Sequence, residues 1–125
     1  MYASFKPGIP WKDTNGNLIN AHGGSIFVEG DTYYWIGEDK SHTAGKGKIW
    51  TWGIRIYSSK DLYNWEDLGH LVEPDLKNKK SIFHPTRRLD RPHLIFNRKT
   101  KTYVLWVKYN DDASYAVLTS DKLRG

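Results

Sequence analysis

The stretch "TYVLWVKY", residues 102–109, decides the fold. Alternate side chains of a strand face opposite sides, so Tyr103, Leu105 and Val107 point one way and Val104 and Trp106 the other. Both faces are apolar. A strand with one wet face alternates apolar with polar residues, whereas one that is apolar on both faces belongs to a sheet covered on both sides. Trp106 and Trp35, both mid-strand, are therefore expected in the core.

The pattern extends outward in both directions. "RPHLIFN" precedes the stretch across the turn "RKTK", and "SYAVLTS" follows it across a turn at "NDDA", residues 110–113; both read as strands. The first half has the same plan. "SIFVEGDTYYWIGE" predicts a hairpin, with strands at 26–28 and 32–38 around the turn "EGD". "GIRIYSS" is a third strand and "NWEDLGHLV" a fourth, reached through "SKDLYN". Residues 1–24 are rich in Gly, Pro and Asn, with a turn signal at Asn15-Gly16, and read as a leading loop with one short strand. Long loops are expected near 40–52 and 73–88, and no segment has convincing helical periodicity.

The two halves are a repeat. Tyr33-Tyr34-Trp35-Ile36 corresponds to Tyr103-Val104-Leu105-Trp106, and "YSSKDL" is echoed by "LTSDKL". A unit of roughly 50–70 residues with about four short antiparallel strands is that of a β-propeller blade. The expected fold is all-β: one partial β-propeller domain over residues 1–125, built of antiparallel four-stranded sheets, with blade 1 at about 20–72 and blade 2 at about 89–123. Propellers usually have about four to eight blades. Two blades alone leave a broad apolar face and an open edge, so either further chain or other copies cover them, or the sheets form a smaller sandwich.

Bulk composition excludes more than it assigns. Lys and Arg number 19 against 14 Asp and Glu, a net charge of +5 that fits an ordinary solvated basic surface. The basic loop "KNKKSIFHPTRR", residues 77–88, reads as solvated, and no nucleic-acid partner is expected. With no cysteine there is neither a disulfide nor thiol chemistry. No apolar run approaches the roughly 18 residues of a membrane span, so no membrane partner is expected. "MYASFKPGIPWKD" lacks the basic start and apolar core of a signal peptide. The histidines, at 22, 42, 70, 84 and 93, lack metal-ligand spacing, and no metal or cofactor is expected. Six Trp and eight Tyr fit either a dense β core or a surface on which sugars or bases stack.

The strings "INAHGGSI", "YYWIGE", "IYSSKDLYNWEDLG" and "DRPHLIFN", in this order, resemble glycoside hydrolase family 43, in its branch of exo-β-1,3-galactanases and related galactosidases. Typical strings of that branch run close to "AHGGGI", "YYWYGE", "YSSxDLxNW" and "ERPKVIYN". The resemblance covers about residues 10–123. It implies the N-terminal two blades of a five-bladed propeller, a β-1,3-linked galactan-type oligosaccharide or polysaccharide as partner, and a secreted or periplasmic location. The family hydrolyses glycosidic bonds with inversion, and its general acid comes from a later blade that this sequence does not contain. The resemblance therefore implies a glycosidase-like chain incomplete for catalysis on its own, or else a non-catalytic glycan-binding module.

It also implies roles for particular residues. Glu38, closing "YYWIGE", corresponds to an acid that binds sugar hydroxyls; a carboxylate accepts hydrogen bonds from two adjacent hydroxyls. Asp90 stands where the family has Glu in "ERP", an acid of the catalytic centre. Tyr115 matches a pocket tyrosine, and His22 of "AHGG" lines the pocket from its turn. Arg91 is placed to fix a nearby carboxylate through a bidentate contact. The plainer alternatives are a solvated strand-end acid for Glu38, pairing of Asp90 with Arg88 or Arg91, blade packing for Tyr115, a structural His22 and an Arg91 that serves only the loop. Trp50 and Trp52, beside a Gly-rich loop, are candidates for a sugar-stacking platform, and Trp65 reads as packing.

Overall fold

The computed structural model describes residues 1–45, 48–109 and 114–124. Their strands form two antiparallel sheets. The first runs β1 (His22–Glu29), β2 (Thr32–Glu38), β3 (Ile54–Ser59) and β4 (Glu66–Val72) in spatial order. The second contains β5 (Leu89–Asn97), β6 (Thr102–Tyr109) and β7 (Ser114–Ser120). Each strand pairs with its sequence neighbour, the meander that short polar turns between apolar runs dictate.

Two expectations need correction here. Strand β1 starts at His22, so "HGG" is a strand with a bulge between His22 and Ser25 instead of a turn. A Cβ at Gly24 would collide with the Ile36 carbonyl, which is why small residues run there. The second sheet has three strands among the described residues, not four, because residues 121–123 bend after β7 and pair with no strand. The expected turn at 110–113 lies outside the described residues, as do Lys46 and Gly47 of the 40–52 loop.

The sheets pack face to face. Ile36, Ile54 and Ile56 of the first meet Leu89, Leu94, Leu105 and Val107 of the second, all buried. Phe27 stands edge-on to Tyr103 with ring centroids 6.0 Å apart, and the Tyr103 hydroxyl donates to Glu29. A second cluster covers the outer face of the first sheet. There Trp65 and Tyr57 are buried, and Trp35 is half-buried between Trp11 and Trp65 at centroid distances of 5.4 and 5.3 Å. The N-terminal segment is tied over this face by Tyr2 N–H to Asn64 Oδ1 (2.7 Å) and Trp11 Nε1–H to the Tyr63 carbonyl (2.9 Å). Asp61 accepts from the amides of Tyr63 and Asn64, at 2.8 Å each, and closes the "SKDLYN" turn that presents Asn64.

Trp106 is not core. It is 45% exposed, and Ile95 and Val117 on the same face of the second sheet are exposed too. The alternation read from "TYVLWVKY" holds, but among the described residues the first sheet covers the Leu105–Val107 face alone.

Candidate functional site

The site lies where the end of β2 meets the start of β5. Glu38 is the last residue of β2, and register pairs it with His22 on β1 and Ile54 on β3. Its side chain is 6% exposed, unlike a solvated strand-end acid. Oε2 accepts from the Arg91 amide at 3.2 Å, and Oε1 pairs with Lys40 Nζ at 3.1 Å. Burial pushes the Glu38 carboxyl above its ordinary value; the Arg91 amide and Lys40 offset this in part, and the Asp90 charge adds to the upward push.

Asp90 follows the first residue of β5 and sits at a bulge between Asp90 and His93. Its Oδ1 accepts from Trp50 Nε1–H at 3.1 Å. Trp50 thus belongs to the site as a hydrogen-bond donor to its acid. Its ring faces two cations, with Lys40 Nζ 4.2 Å and Arg88 Cζ 4.5 Å from the centroid, so it is not the open stacking platform expected of it. Trp52 stacks on His42 with centroids 4.2 Å apart.

Arg91 reaches Glu38 by its backbone. Its φ of +52°, in the left-handed region within the bulge, presents its amide to Oε2. The side chain is exposed, and the expected bidentate contact of its guanidinium is made with no carboxylate among the described residues.

His22 is exposed and reaches the site through register alone, as the Cα partner of Glu38. Tyr115 is 60% exposed. It pairs with Lys108, which pairs with Asp90, so the three share one face of the second sheet. Two strand spacings put Tyr115 roughly 10 Å from Asp90 along that row. The structure therefore brings Glu38, Asp90 and the Arg91 amide together, sets His22 beside them and leaves Tyr115 further out.

Sequence reasoning missed Lys40. A signal was present: residues two apart on an extended chain share a face, so Glu38 and Lys40 are natural partners. It also missed the brace beneath the site. Asp39, fully buried, accepts from Ser41 N–H at 2.8 Å and Arg55 Nε–H at 3.1 Å, and its Oδ2 lies 3.0 Å from His70 Nε2. Arg55 also makes a two-oxygen contact with Asp67 at 2.8 and 3.0 Å. Burial alone would raise the Asp39 carboxyl, but hydrogen bonds from His70, Ser41 and Arg55 hold it well below the usual carboxylate range. Among the described residues no group of three or more His, Cys, Asp and Glu side chains is placed to hold a metal ion.

Antiparallel sheets of four and three strands match the propeller fold of glycoside hydrolase family 43. A family 43 β-1,3-galactosidase superposes with a TM-score of 0.82 at 36% identity, over 100% of this chain and 27% of that one. An exo-β-1,3-galactanase from Clostridium thermocellum gives 0.76 at 32%, over 94% of this chain and 25% of that one. One from Phanerochaete chrysosporium, in complex with β-1,3-galactotriose, gives 0.75 at 34%, over 92% and 26%. The chain belongs to glycoside hydrolase family 43, and the members it is similar to are β-1,3-galactosidases and exo-β-1,3-galactanases. It spans about a quarter of the length of these relatives. No family model matches it, and no curated protein matches it significantly.

Proposed function

We propose that the chain acts in recognition of β-1,3-linked galactan-type glycans, as part of an inverting glycosidase site. The observation that carries this is the buried Glu38 carboxylate, held by the Arg91 amide beside Asp90. In this reading Glu38, His22, Arg91 and Tyr115 bind the sugar, and Asp90 belongs to the catalytic centre. Glu38 keeps lone pairs beyond those used by Lys40 and Arg91, enough for a pair of sugar hydroxyls.

The chain, read as one domain over 1–125, supplies blades at about 20–72 and 89–123 of a five-bladed propeller, and acts outside the cytoplasm, in the periplasm or secreted. The repeat supports this. Ile36 is covered by the second sheet, and its counterpart Trp106 turns an equivalent face outward, ready for a third. Inversion needs an acid and a base about 6.5–9.5 Å apart across the bond. With the general acid supplied by a later blade, this chain binds sugar and does not cut it unaided.

Galactose release from β-1,3-galacto-oligosaccharides by the purified chain is the test, with Glu38→Ala and Asp90→Ala beside it. Binding without release, lost in both variants, is the expected result. Release that both variants abolish would refute the incompleteness and keep the site. Neither binding nor release at millimolar sugar would refute the glycan reading for this chain.

A further inference from the structure

We propose that Lys40 and Trp50 are positioning residues, a clamp carried on one loop that sets the spacing of the Glu38 and Asp90 carboxylates. The clamp rests on the reading of those two acids as substrate-facing groups, but its geometry is independent of any sugar.

An ammonium has three protons, and Lys40 Nζ has three matched acceptors: Glu38 Oε1 at 3.1 Å, the Trp50 carbonyl at 2.8 Å and Thr51 Oγ1 at 3.1 Å. Thr51 is buried and passes its own proton to the Leu89 carbonyl at 3.1 Å, one residue before Asp90. Trp50 donates its indole proton to Asp90 and takes the Lys40 charge over its ring. Its amide is fixed by the Pro85 carbonyl at 2.8 Å. The acids belong to different sheets, and this loop touches both. Lys40 stabilises the ionised form of a carboxylate that burial disfavours. Trp50 fixes the direction of an Asp one methylene shorter than Glu, which needs a donor reaching toward it. Among the described residues, Arg88, Arg91, Lys108 and His22 are further charged or titratable groups near the pair.

The test uses the full chain and its Trp50→Phe, Lys40→Met and Lys40→Arg variants. Carboxyl carbon NMR follows the titration midpoint of Glu38 and the carboxyl resonance of Asp90 at neutral pH, the indole N–H resonance reports Trp50, and calorimetry with β-1,3-galactobiose reports binding. Trp50→Phe keeps an aromatic ring and loses the donor, so it should move the Asp90 carboxyl resonance more than that of Glu38. Lys40→Met should raise the Glu38 midpoint and shift the Trp50 resonance, and Lys40→Arg should restore part of both. Loss of a charge-assisted contact predicts about tenfold weaker binding in the first two variants. Should Trp50→Phe not fold, Asp90→Asn gives the reciprocal reading on the Trp50 resonance. An unmoved Glu38 midpoint with unmoved Asp90 and Trp50 resonances in folded variants would overturn the clamp, as would wild-type affinity in Trp50→Phe and Lys40→Met. If the wild type ignores galactobiose while the Glu38 midpoint and the resonances move as expected, the clamp stands and the glycan reading falls.

Discussion

A Cβ added at Gly23 would stand 2.5 Å from Oε2 of Glu38. The residue is needed twice over, because its φ of +55° lies where side chains are strained. The oxygen it makes room for is the one held by the Arg91 amide.

Gly23→Ala is therefore expected to destabilise the chain by about 1–3 kcal/mol, from the left-handed backbone and the displaced carboxylate. It should also weaken galactobiose binding. Urea unfolding and calorimetry check both, and unchanged stability would contradict the close approach.

Glu38 and Asp39 should respond to pH with opposite signs. Glu38 has a folded value above its ordinary one, so its contribution is fully present below about pH 4.3 and is lost as pH rises through the folded value. Glu38→Gln should match or exceed wild-type stability at pH 7 and lose that advantage at pH 3. A variant weaker than wild type at pH 7 but not at pH 3 would reverse the sign.

For Asp39 the folded value is depressed. Its contribution is present above about pH 4 and is lost as pH falls through the folded value. Asp39→Asn should cost about 1–3 kcal/mol at neutral pH, leaving Arg55 and His70 short of an acceptor. Its deficit against wild type should shrink toward pH 2. Urea midpoints at pH 7, 5 and 3 measure it; a deficit constant with pH would exclude the ionic network.

The two faces of β6 make a contrast. Leu105→Ala opens the seam between the sheets and should cost about 2–5 kcal/mol. Trp106→Lys, one residue along on the exposed face, should cost under about 1 kcal/mol. Sedimentation of the second variant tests whether copies associate through that face: a fall in apparent mass is expected if they do, and an equally large stability loss in both variants would mean Trp106 is covered.

What the sequence made legible follows from range. Strands β2, β3 and β6 show in local alternation, and the hairpin turns show in "EGD" and "RKTK". Glu38 and Asp90 showed through motifs. Trp106 was misread because alternation tells which residues share a face, not whether anything covers it. The roles of Lys40 and Trp50 were hidden because the indole–Asp90 bond joins positions 40 apart, across a loop with no periodicity to read. Arg91 misled for a subtler reason: its side chain advertised a charge, while a backbone angle that no residue pattern encodes made the contact.

The Arg91–Glu38 hydrogen bond closes a separation of 53 positions. Hairpins such as β1–β2 form in about 1–10 μs, but this contact must wait until the two sheets meet, and distant pairings are slow to form. The acids are thus expected to come together late in folding. A partly folded chain holding every hairpin would still lack the site, so sugar binding would report completed folding and not merely β content.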